Sequence, residues 1–129
     1  MVRWRALSGV MAFGAAYDAA FGLAITLVPT LAATMLRIDM PADPLYLRLN
    51  GVFLLILGAI YALPALRPER FHPIAPISAA GRVVGFILFA LAWREGRPAT
   101  FLILGISDLA IALVTLAAWA RARTVSPSA

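Results

Sequence analysis

Four ionisable residues stand inside otherwise apolar runs of this chain: Asp18 in GAAYDAAFG, Arg48 in YLRLNG, Arg82 in AAGRVVG and Asp108 in LGISDLAIAL. A carboxylate can carry a proton or a cation, and an arginine can hold an anion. Such groups among apolar residues are therefore where chemistry is sought first. Two aspartates and two arginines make the set neutral as a whole. Small residues recur beside it at helical spacing. Gly14, Asp18 and Gly22 lie four apart, and Arg48 and Arg82 each have a glycine three residues on, Gly51 and Gly85. Each charged side chain thus shares a helix face with glycines that let a neighbouring helix come close.

Other chemistries lack their residues. Cysteine is absent, which removes disulfides, thiolate metal sites, iron–sulfur clusters and cysteine nucleophiles. His72 is the single histidine, in the loop RPERFHP, where it reads as a solvated or head-group-facing side chain. No phosphate-binding loop, dinucleotide fingerprint or Ser–His–Asp arrangement can be assembled. Glu69, Glu95, Asp39 and Asp43 stand in loops beside arginines and read as solvated charge. The expectation is a chain that is not an autonomous enzyme and holds no cofactor and no metal.

The elements that must carry these charges are membrane spans. Of the 129 residues, 63% are hydrophobic, and the mean hydropathy of +0.92 exceeds that of soluble domains. All 11 basic residues are arginine and the net charge is +5. Because the arginines flank apolar runs, anionic lipid head groups and not nucleic acid are the partner they imply. A helix needs about 20 apolar residues to cross a bilayer. Four segments meet this: Leu7 to Val28, Pro44 to Leu66, Pro76 to Trp93 and Pro98 to Trp119. Asp43-Pro44 predicts an N-cap followed by proline at the first helical position; Pro76 and Pro98 repeat the device, and Gly96 predicts a C-terminal stop.

Between the first two spans, PTLAATMLRIDMPADP reads as a short interfacial helix, with an irregular loop as the alternative. The fold predicted is an all-α integral membrane bundle of four transmembrane helices running up and down. It occupies residues 1–119, with 120–129 a polar, disordered cytoplasmic tail. A signal peptide is the competing reading of the first span, disfavoured by its length and by Asp18. Trp4 and Trp119 are expected at one membrane interface and Tyr46 and Trp93 at the other. Arg3, Arg5, Arg67, Arg70, Arg121 and Arg123 share one flank, Arg37, Arg94 and Arg97 the other. The positive-inside rule then puts both termini in the cytoplasm.

An aspartate at the centre of a span costs about 3 kcal/mol, comparable with what the large apolar residues of the fourth span contribute to insertion. Pairing with arginine relieves that cost. Short connections make successive helices neighbours, which predicts Asp18 with Arg48 and Asp108 with Arg82. Gly81 and Gly85 form a GxxxG that reads as packing within the bundle. Two roles stay open for the charge set: fixing helix orientation, or handling a proton or substrate.

YDAAFGLAITLVP, PLYLRLNGVFLLILGAIYALPALRPERF and GRVVGFILFALAWREGRPATFLILGISDLAIAL together resemble the small four-helix inner-membrane proteins of bacteria, in particular the DoxX-like group. The resemblance covers nearly the whole chain and rests on the helix plan and on the R-x-x-G pattern with a late aspartate. Some members of that group are subunits of quinone-linked sulfur oxidation complexes, but no quinone or substrate position carries over. Small multidrug resistance transporters are also similar in helix number and length and have an acid in the first helix, which Asp18 matches. They use glutamate there, and the arginines seen here depart from a cation-binding site. The function expected first is that of a non-catalytic accessory, assembly or scaffold subunit, with a membrane-protein partner or a homo-oligomer. A proton-coupled small-molecule transporter and a membrane subunit of a quinone-linked redox complex are the alternatives.

Overall fold

The structure is a computed structural model and describes residues 2–124. A short 3-10 turn, Val2–Trp4, leads into α1 (Arg5–Leu27); α2 (Pro29–Leu36), α3 (Leu45–Leu66), α4 (Pro68–Phe71), α5 (Ile74–Arg94) and α6 (Ala99–Thr124) follow. The protein is an all-α four-helix membrane bundle. α1 with its leading turn, α3, α5 and α6 are each long and apolar enough to cross a bilayer, with mean window hydropathies from 1.6 to 2.3. Large apolar side chains such as Phe53, Leu88 and Ile103 stay exposed on the outside. On a chain whose backbone bonds are satisfied within helices, that surface suits hydrocarbon.

The helix ends follow from local chemistry. Asp43 Oδ1 accepts a hydrogen bond from the Leu45 amide at 3.0 Å, covering an open donor at the start of α3. α5 stops in a Schellman turn: the Gly96 amide donates to the Trp93 carbonyl at 3.0 Å and the Arg97 amide to the Ala92 carbonyl at 3.1 Å. Gly96 has φ +96° there, a conformation that favours a residue without a Cβ. Pro29 and Pro68 open α2 and α4 at positions where a missing amide proton is harmless. α5 begins two residues before Pro76, after Pro73, so Pro76 lies inside the first turn, where its absent N–H likewise goes unneeded. α6 runs past Trp119 to Thr124, so the start of the expected tail is helical; 125–129 lie outside the described residues.

Packing orders the spans as α3, α1, α6, α5. α1 lies mainly against α3 and α5 against α6, the two pairs meet along α1 and α6, and α3 and α5 barely touch. Succession in sequence thus fails to make α3 and α5 close neighbours, and a cleft separates them. Glycines set the tight crossing of α1 and α3. A Cβ added to Gly22 would lie 2.8 Å from the Gly51 carbonyl oxygen, and one on Gly51 would strike Thr26 Oγ1 and come within 2.9 Å of the Gly22 carbonyl oxygen. Gly58 fits the same interface, 3.0 Å from the Ala15 carbonyl oxygen by the same measure.

The end that carries the termini is closed by aromatics. Trp4 stacks on His72 with centroids 5.0 Å apart, and Trp119 Nε1 donates to His72 Nδ1 at 3.4 Å. Arg3 and Arg123 lie over the two indoles at 4.6 and 4.7 Å. His72 is therefore half-buried between tryptophans at this end of the bundle. Tyr46 and Trp93 are exposed at the opposite end.

Candidate functional site: a buried Asp–Arg–Asp triad beside a cleft

Arg82 joins three helices. Its Nη2 lies 2.9 Å from Asp18 Oδ2 on α1 and its Nη1 2.9 Å from Asp108 Oδ1 on α6. Nη2 also donates to the Gly14 carbonyl at 3.3 Å. The guanidinium fork allows this sharing, because its planar nitrogens point donors in diverging directions. Burial is deep, with side-chain exposures of 7% for Arg82, 6% for Asp18 and 18% for Asp108. Tyr61 and Tyr17 flank the charge, their ring centroids 5.6 and 5.8 Å from Arg82 Cζ.

Glycines make room for the triad. A Cβ on Gly14 would lie 3.1 Å from Arg82 Nη2, and one on Gly85 would lie 3.1 Å from Asp108 Oδ2. Gly85 thus marks the level of Asp108 on α5, and Arg82 reaches it from one turn nearer the termini. Gly81 differs from its GxxxG partner: it is exposed, and no atom beyond its chain neighbours and its own helix backbone lies within 4 Å of where its Cβ would be. It faces the cleft and packs against no helix.

Arg48 is outside this cluster, contrary to the pairing predicted from adjacency. It is exposed and forms no ion pair among the described residues. The crossing explains this. With Gly22 against Gly51 and Ala15 against Gly58, Asp18 is level with Leu55 on α3. Arg48 stands about 10 Å further along the axis at 1.5 Å per residue, more than its side chain spans. The members that meet are two carboxylates and one guanidinium, so with both acids ionised the triad carries one net negative charge.

A cavity of about 610 Å³ runs from the triad to the end of the bundle that carries α2. Asp18, Arg82 and Asp108 form its charged wall, and Asn50 adds a side-chain amide nearer the α2 end. Its apolar lining mixes aliphatic side chains with the aromatic rings of Tyr17, Phe21, Tyr61, Phe89 and Phe101, which come from all four spans. Two carboxylate oxygens, Asp18 Oδ1 and Asp108 Oδ2, accept no hydrogen bond among the described residues. Arg82 Nε is buried and unpaired among them too. The aromatic lining is the part that sequence reasoning missed. Tyr17 stands next to Asp18, and Leu54, Leu57 and Tyr61 recur at helical spacing along one face of α3, but neither signal separates a cavity wall from a packed core.

No family model, curated protein or solved structure matches the chain. Fold and site define its class: a multi-pass α-helical membrane protein with an Asp–Arg–Asp triad at the wall of an intramembrane cleft.

Proposed function

We propose that this protein binds an amphipathic small molecule within the bilayer, in the cleft between α3 and α5, as a carrier or as the binding subunit of a larger membrane assembly. One observation carries the reading: the ion-paired triad lines a cavity of about 610 Å³, inside the range of roughly 300–1,000 Å³ usual for ligand sites. Helix orientation alone needs a pair sealed by packing, whereas here carboxylate oxygens are left free at a cavity wall. A mostly apolar lining with a few polar groups, the triad and Asn50, matches the way binding sites combine affinity with orientation. By the positive-inside rule the protein lies with both termini in the cytoplasm, and the arginine-only composition suits a bacterial inner membrane.

Gly81 supplies the test. Its missing side chain leaves open space in the cleft, so Gly81→Leu fills the cavity while leaving the triad and the helix crossings in place. Binding of 1-pyrenebutanol to the protein in lipid nanodiscs, read by energy transfer from the three tryptophans, is expected for the parent and strongly reduced in Gly81→Leu. Equal transfer in the two proteins, with Gly81→Leu melting like the parent, sinks the proposal.

A further inference from the structure

We infer that the groove between α1 and α6 on the outer face of the bundle binds one anionic glycerophospholipid, an acyl chain lying in the groove and the phosphate meeting Arg5 and Arg121. The groove is separate from the cleft, and a glycine marks it. At Gly9, Gly81 and Gly96 no atom beyond the chain neighbours and the local helix backbone lies within 4 Å of where a Cβ would be. The positive φ accounts for Gly96 and the cleft for Gly81. Gly9 belongs to neither. It lines an open groove of about 430 Å³ with Ala6 and Phe13 of α1 and Ala110, Ile111 and Val114 of α6, and every side chain on the lining is apolar. Such a hollow takes no ordered water. In a bilayer it is filled by hydrocarbon or by another helix.

Charge decides between the two. Arg3, Arg5, Arg67, Arg70, Arg121 and Arg123 crowd the end of the bundle that carries the termini, against one acidic side chain, Glu69. At the opposite end four arginines meet three acids, and the triad between has one net negative charge, so the chain's net +5 resides at the terminal end. A second copy packed in the groove with the same topology would bring an equally basic end alongside, and the two would repel. A phosphodiester is drawn to that end instead. Arg5 stands one turn before Gly9 and Arg121 two turns after Val114, and both are exposed. A Cβ on Gly14 would lie 3.9 Å from Ile111 Cγ2, and this register sets Arg5 and Arg121 at depths that differ by about 1.5 Å. Arg121 lies about 10 Å beyond Val114 along the axis, in the headgroup layer when the groove lies in hydrocarbon. Two guanidiniums at one depth suit a phosphate through charge-assisted hydrogen bonds, and the acyl chain below it reaches the groove.

Native mass spectrometry of the protein released from a nonionic detergent, given equal amounts of dioleoylphosphatidylglycerol and dioleoylphosphatidylcholine, tests the site. The acyl chains are identical, and in the second lipid the choline cation cancels the phosphate charge. The expected result is one retained phosphatidylglycerol, preferred at least about tenfold. Gly9→Leu and Ala110→Leu fill the groove from its two walls and are expected to lose that lipid while melting like the parent; Ala110→Leu decides alone if the glycine variant does not fold. Arg5→Gln combined with Arg121→Gln should remove the preference and leave phosphatidylcholine binding unchanged. Arg67→Gln combined with Arg70→Gln, at the same end but outside the two helices of the groove, should keep it. No preference in the parent, retention of the lipid in the groove-filled variants, or an equal loss in the Arg67 and Arg70 variant overturns the proposal. A parent dimer that Gly9→Leu splits into monomers assigns the groove to a second copy and overturns it as well.

Discussion

Sharing one arginine between two aspartates predicts an unusual pattern of stability. Asp18→Asn and Asp108→Asn each keep an acceptor oxygen in place and leave Arg82 one full counter-charge. Each exchanges a charge-assisted hydrogen bond for a neutral one, a loss of about 1 kcal/mol. The double substitution removes both counter-charges from a guanidinium that is 7% exposed, which matches the removal of a buried partner and costs about 3–5 kcal/mol. The double variant is thus expected to be about 1–3 kcal/mol less stable than the sum of the singles. Arg48→Gln is the control: the residue is exposed and outside the triad, and its change is expected to stay within about 0.5 kcal/mol. The assay is reversible unfolding in mixed micelles of rising sodium dodecyl sulfate, followed by tryptophan emission, for which Trp4 stacked on His72 is a placed reporter. Two independent pairs, Asp18 with Arg48 and Asp108 with Arg82, would instead give additive losses and a sensitive Arg48. A double variant within about 0.5 kcal/mol of additivity therefore refutes the shared-arginine account.

The glycines should divide by what faces them. Gly22→Ala and Gly51→Ala drive a methyl against a backbone oxygen under 3 Å away and are expected to cost about 1–3 kcal/mol by overpacking, whereas Gly81→Ala should be neutral or mildly stabilising; equal melting of all three would contradict the crossing described. For orientation, the chain has no native cysteine, so single cysteines at Glu69 and Glu95 can be labelled with an impermeant maleimide. Glu95 should react from outside intact cells and Glu69 only after lysis, and the reverse order would invert the topology.

The four spans are legible in the sequence because a bilayer sets a minimum apolar length, and because Asp43, the prolines and Gly96 mark the ends with residues that only certain helix positions accept. The crossing of α1 and α3 is partly legible, since small residues spaced along one face license close approach. The grouping of the charges is not. Which arginine reaches Asp18 depends on the relative depth of the helices and on their order around the bundle, and linear spacing encodes neither. Arg48 and Arg82 look alike in sequence, each followed three residues later by glycine, yet one sits level with Ile25 and the other reaches the middle of the bundle. The cleft is hidden for a related reason: it exists because α3 and α5 stay apart, and an apolar face that lines a void has the same composition as one that fills a core.

The division of the bundle into two helix pairs has a consequence for how the protein is made. The later pair, α5 and α6, carries Arg82 and Asp108 and is electrically complete in itself. The earlier pair, α1 and α3, enters the membrane first with Asp18 unmatched, since Arg48 stands too far along α3 to serve it. A half-synthesised chain thus carries an orphan acid, which α5 relieves through Arg82. The Asp18–Arg82 ion pair therefore closes only once α5 has docked against the earlier pair. A chain cut before α5 keeps Asp18 as a polar residue in the bilayer without its counter-charge.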